Sequence, residues 1–159
     1  MLRTTKVLCV ILALAATFGC SSEETGPYFK IAGGGFIFNY RIAEATAGVV
    51  VTPERTLPTD GSFEATFVNP ADGAPFVMTE KVSPTRKRYD FTTPPLSGVK
   101  AKTDYLMTVR LLDAAGNELG TAEKALRSDL DQTVLPDRPL TVGPGYARNP
   151  AAPTNQQPQ

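Results

Sequence analysis

From Tyr28 onward, apolar residues recur at every second position in short runs, and proline, glycine and Asx-rich turns separate the runs. The run into Leu112 is the clearest, with Tyr105, Met107, Val109 and Leu111 on one side and Thr108 and Arg110 on the other. A period of two suits a half-buried strand and cannot line one face of a helix. The same reading applies to Phe36, Phe38, Tyr40 and Ile42, which share a face opposite Asn39 and Arg41, and to Phe63, Ala65 and Phe67 opposite Glu64 and Thr66. Val49-Val50-Val51-Thr52 is β-branched throughout and stops at Pro53; Phe76-Val77-Met78 supplies core material, and Tyr89-Asp90-Phe91 ends at Pro94-Pro95. Asp60-Gly61, Asn69 to Gly73 and Asp113 to Asn117 mark turns. Short strands with turn signals between them predict an all-β, antiparallel sandwich or barrel.

Three stretches are less direct. Tyr28 to Ala32 reads as a short segment broken by Gly33-Gly34-Gly35. No Lys-Ser/Thr follows the glycines, so they suit a turn or a close backbone approach rather than a phosphate loop. Glu118 to Asp131 has two readings: Leu119, Ala122, Leu126 and Leu130 fit a helical face, whereas the hairpin turn before them favours a strand over Leu119 to Ala125. The strand is preferred. Leu140-Thr141-Val142 is expected to add an edge strand to the sandwich.

Leu96-Ser97-Gly98-Val99-Lys100-Ala101-Lys102-Thr103-Asp104-Tyr105 resembles the approach to the sixth strand of fibronectin type III and other immunoglobulin-like sandwiches. The resemblance implies that Tyr105 is a tyrosine-corner residue, its ring in the core and its hydroxyl bonded to nearby backbone. The chain has no tryptophan. Phe63 or Phe67 is therefore expected to fill the space that a core tryptophan takes in such domains.

The N-terminus has a different character. Arg3 and Lys6 precede an apolar stretch from Val7 to Phe18, too short for a bilayer core that needs about 20 residues. It fits the apolar part of a secretory signal. Ala16-Thr17-Phe18-Gly19-Cys20 resembles a bacterial lipobox, which implies diacylglycerol on the Cys20 sulfur and cleavage just before it. An ordinary secretory signal cut near Gly19, leaving a free thiol, is the other reading. Cys9 lies in the leader, so Cys20 is the single cysteine after cleavage and no internal disulfide can form. Burial of acyl chains gains about 0.8 kcal/mol per CH₂, enough for two or three chains to hold the protein on a membrane. The expected organisation is a signal peptide over 1–19, a lipidated cysteine and flexible tether over 20–27, a β-sandwich over 28–146 and a disordered tail rich in proline, asparagine and glutamine over 147–159. Ser21 rather than aspartate follows the cysteine; in a host with two membranes the resemblance implies the periplasmic face of the outer membrane.

Basic and acidic residues number 16 each, and losing Arg3 and Lys6 leaves 14 against 16. Such a balance gives no basic stripe for nucleic acid. Arg86-Lys87-Arg88 is the one dense basic run, either a solvated loop or a contact for anionic lipid headgroups. The chain lacks histidine, which excludes Ser-His-Asp and Cys-His catalysis and histidine metal sites. Asp129, Asp131 and Asp137 lack the spacing of an EF-hand. Paired carboxylates can hydrolyse a glycoside, and Glu64, Glu80, Asp90 and Glu118 are available, but no spacing sets two of them across a cleft. A Ser-Lys dyad has no supporting pattern either. The sequence therefore predicts no enzyme and no cofactor. It predicts a membrane-anchored module of the cell envelope that binds a protein or glycan partner. The alternatives are an accessory subunit of an envelope complex and, behind it, a carboxylate-dependent glycan hydrolase.

Overall fold

A computed structural model describes residues 25–152. Residues 1–24, Cys20 among them, and residues 153–159 lie outside the described residues, so the expectations placed on them stay with the sequence. Seven strands form the body: β1 (Phe29–Asn39), β2 (Glu44–Pro53), β3 (Ser62–Phe67), β4 (Phe76–Lys81), β5 (Tyr89–Thr92), β6 (Asp104–Leu112) and β7 (Glu118–Arg127). A 3₁₀ turn at Gln132–Val134 and a small ribbon of β8 (Thr141–Val142) and β9 (Ala147–Arg148) follow. No α-helix occurs among the described residues.

All pairings are antiparallel, in a three-stranded sheet of order β1-β2-β5 and a four-stranded sheet of order β4-β3-β6-β7. The alternation dictates what lies between them. Ala47, Val49, Val51, Tyr89 and Phe91 from the first sheet meet Phe63, Ala65, Phe67, Met107, Val109 and Leu111 from the second in one buried cluster. Phe63 ties the two layers together, edge-on to Phe29 at 5.1 Å between ring centroids and tilted against Tyr89 at 4.8 Å. Such aromatic pairs add about 0.5–1.5 kcal/mol beyond the area they bury. Phe63 and Phe67 are both fully packed in this core.

Three expectations about local structure are corrected. The triple glycine does not break β1, which runs straight through it with a register shift between Ile31 and Gly33. Gly34 faces inward opposite Val49, and a Cβ there would lie 2.9 Å from the Gly48 carbonyl oxygen; the glycine serves close approach, not a turn. At its other end β1 stops at Asn39, whose Oδ1 accepts from the Arg41 amide at 3.1 Å. That bond starts a tight turn, so Phe36 and Phe38 pack on the core while Tyr40 is exposed. Thirdly, Leu140-Thr141-Val142 does not extend the sandwich: β8 pairs only with β9 and is held by the Arg41 carbonyl, which accepts from the Leu140 and Thr141 amides.

The first residues assigned to the tail from sequence are ordered by backbone bonds. Residues 147–152 carry β9 and a turn in which the Asn149 amide donates to Leu140 O and its Nδ2 donates to Pro139 O at 2.7 Å. Glu118–Arg127, in contrast, is the strand preferred from sequence. Leu111 pairs with Gly120 and Leu112 with Glu118, leaving Leu119 as the extra residue of a bulge. The bulge shifts the phase of the alternation, which is why Leu119, Ala122 and Leu126 mimic a helical face.

Candidate functional site

Antiparallel register sorts the loops into two ends. Phe29 pairs with Pro53, Val51 with Tyr89, Ser62 with both Lys81 and Leu112. The chain therefore enters at Thr25–Tyr28 beside the β2–β3, β4–β5 and β6–β7 loops. The opposite end holds the β1–β2, β3–β4 and β5–β6 loops and the whole segment after β7.

Each end is braced by a buried tyrosine. Tyr105, at the start of β6, has its ring edge-on to Phe36 at 5.5 Å, and its hydroxyl accepts from the Lys100 amide at 2.9 Å and lies 3.5 Å from Gly98 O. Tyr89, at the start of β5, does the same at the entry end: its hydroxyl accepts from the Ser83 amide at 2.9 Å and donates to Ser83 O at 3.3 Å. Sequence reasoning placed Tyr105 and missed Tyr89. The signal was present, a tyrosine opening a strand a few residues after a loop, as in the first case.

At the entry end the basic run is not a uniform patch. Arg86 is bonded to Glu80, donates Nε–H to Arg88 O at 2.9 Å and lies over the Tyr89 ring. Arg88 grips Asp90, with Nε and NH2 at 2.8 and 2.6 Å from Oδ1. That hydrogen bond raises the Arg88 pKa and lowers that of Asp90. Lys87 is exposed and makes no ion pair among the described residues. A cleft of about 340 Å³ opens between the two loops, lined by Glu54, Arg55, Thr56, Ser83, Arg86 and Lys87 among others. Arg55 reaches back over the Tyr28 ring, 3.5 Å from its centroid, and Glu54 is paired with Lys30 at 2.5 Å.

The far end carries a feature the sequence did not reveal. Gln132 clamps the segment after β7 onto the β5–β6 loop: its Oε1 accepts from the Val99 amide at 3.0 Å, its Nε2 donates to Leu96 O at 2.7 Å, and its own amide donates to Val99 O at 2.8 Å. Leu140 and Thr141 are tied down again at Arg41 O. Between the two ties the chain arches over a cleft of about 570 Å³, lined by Ala43, Lys100, Asp131, Leu135, Pro136 and Asp137 among others. Asp131 caps the 3₁₀ turn by accepting from the Thr133 amide at 3.2 Å, which lowers its pKa. Asp129 is paired with Lys102 across the loop.

The carboxylates considered for hydrolysis are each engaged by an arginine. Arg110 holds Glu64 at 2.5 Å and Glu118 at 3.7 Å, Arg86 holds Glu80 and Arg88 holds Asp90. A general acid needs its proton near neutrality and hence a raised pKa; for Asp90 the hydrogen bond from Arg88 acts the other way and lowers it. Among the described residues no cluster of three or more Cys, Asp or Glu could hold a metal ion. No protein-family model matches the chain, and no curated protein matches it either.

Proposed function

We propose that the protein is a lipid-anchored module of the cell envelope, non-catalytic, whose immunoglobulin-like sandwich of the fibronectin type III kind presents the end away from the anchor to a protein or glycan partner. The observation that carries this reading is polarity: the chain enters at one end of the sandwich, and the Gln132-clamped cleft lies at the other. An anchor at Cys20 would hold the entry end towards the bilayer and leave the cleft facing away from it. The lipobox-like Ala16 to Cys20 supports the anchor. The three-plus-four strand order, with β5 returning beside β2, and the Tyr105 hydroxyl on the backbone before β6 support the immunoglobulin-like assignment.

Crosslinking in intact cells tests it. A photo-reactive residue at Asp137, in the far cleft, should capture a discrete envelope protein or glycan that the same probe at Thr79, on the outer face of the four-stranded sheet, does not. Equal background from both positions would contradict the reading.

A further inference from the structure

We infer that the bank of the far cleft formed by the β1–β2 turn and the β8–β9 ribbon binds an acidic glycan, a polymer whose sugar rings carry carboxylates; the inference rests on the reading that the end away from the anchor meets the partner. Three arginines border this bank. Arg41 lies in the turn and its carbonyl holds Leu140 and Thr141, Arg148 stands opposite Thr141 in the ribbon, and Arg138 is two residues before Leu140. All three are exposed, and none makes an ion pair among the described residues. Arg86, Arg88, Arg110 and Arg127, in contrast, each hold a carboxylate. The acidic residues of the same two stretches, Glu44 and Asp137, pair with none of the three.

Two tyrosines interleave with the arginines. Tyr40 is 45% exposed and Tyr146 55%, and the Arg41 guanidinium lies 5.5 Å from the Tyr146 ring centroid. Tyr146 holds a φ of 53°, in the left-handed region where a bulky side chain is strained and glycine is at ease. The turn it closes, with its amide donating to Gly143 O at 3.1 Å, would form more readily with glycine in that place. The local fold therefore does not select the aromatic ring, and strain kept at an exposed position points to a task for it. An arginine fork suits a carboxylate, and a tyrosine ring suits the C–H face of a sugar. An acidic sugar offers both in one unit, whereas an acidic peptide offers the charge alone.

Retention of the native protein on three kinds of bead tests this, after extraction from membranes in an uncharged polyoxyethylene detergent. Polygalacturonate beads should retain it. The methyl ester of the same polymer keeps the ring and loses the charge, polyglutamate keeps the charge and loses the ring, and both should retain it poorly. Arg148→Gln should lower retention on polygalacturonate roughly fivefold, the upper end of what one exposed ion pair supplies. Lys87→Gln, an equal charge change at the entry end, should leave it unaltered. Tyr146→Gly should lower retention severalfold while the thermal midpoint stays level or rises, which separates the ring from the fold. Equal retention on polyglutamate would assign the surface to an acidic protein and overturn the inference. No retention on polygalacturonate, equal losses with Lys87→Gln and Arg148→Gln, or unaltered retention with Tyr146→Gly would overturn it too. The far-end reading has its own readout in the capture from Asp137, so a protein captured there beside empty polygalacturonate beads fails the glycan and spares that reading.

Discussion

A phenol inside an apolar core is tolerated where its hydroxyl finds a backbone partner, and both tyrosines at strand starts meet that condition. Tyr105→Phe strands the Lys100 amide and should lower stability by about 0.5–1.5 kcal/mol, read as a shifted denaturant midpoint with an unchanged slope. Tyr89→Phe should cost a similar amount through Ser83. An unaltered midpoint in either variant would show that the hydroxyl bond contributes nothing. Neighbouring glycines of β1 should behave in opposite ways. A Cβ at Gly34 would press on backbone oxygen at Gly48, so Gly34→Ala should destabilise by about 1–3 kcal/mol. Gly35 has nothing within 4 Å of that position, and Gly35→Ala should be neutral or stabilising by up to about 1 kcal/mol through the unfolded chain. Equal effects at the two sites would contradict the inward placement of Gly34.

At the scale of elements, the hairpin of β6 and β7 depends on Asp113. Its Oδ1 accepts from the Ala115 and Asn117 amides, each at 2.8 Å, and Oδ2 from Asn117 Nδ2, the largest cause of its lowered pKa. The clamp after β7 depends on Gln132, and Gln132→Ala should loosen the arch while sparing the sandwich. Hydrogen exchange should rise at Val99 and over 132–142 but stay slow in β3 and β6; acceleration throughout would mean that the clamp stabilises the whole domain. The strands were legible wherever alternation was unbroken, as in β3 and β6, because one buried face repeats every second residue. Where two residues faced the same way the pattern was harder to read: the bulge at Leu119 imitated a helix, although the hairpin context still favoured the strand that is found, and the shift at Ile31/Gly33 hid the continuity of β1. The β8–β9 ribbon escaped because its bonds run to Arg41, about a hundred residues upstream, and no local pattern encodes such a partner.

For the whole molecule, charge sets a simple pH profile. Asp90, Asp104 and Asp129 have pKa values lowered chiefly by hydrogen bonds from Arg88, Arg127 and Lys102, and Asp113 and Asp131 by hydrogen bonds within their own turns. A carboxylate depressed in the folded state stabilises above its usual 3.8 and loses that contribution as pH falls through the lower folded value. Without histidine, thermal stability should therefore stay level from about pH 8 to 5 and decline below about 4. A step near pH 6.5 would contradict this. High salt should mute the part due to the ion pairs and spare the part due to Asp113 and Asp131. Of the candidate sites, the basic run and Tyr105 could be read in the sequence, whereas both clefts could not, since each is walled by loops that only the register brings together. The central claim is that this polar sandwich hangs from acylated Cys20, and intact mass spectrometry of the protein from its native membranes tests it most directly. The account predicts a chain beginning at Cys20 with a mass increased by a diacylglyceryl group, and by an amide-linked acyl chain where the host adds one; an unmodified thiol on a chain recovered in the soluble fraction would contradict it.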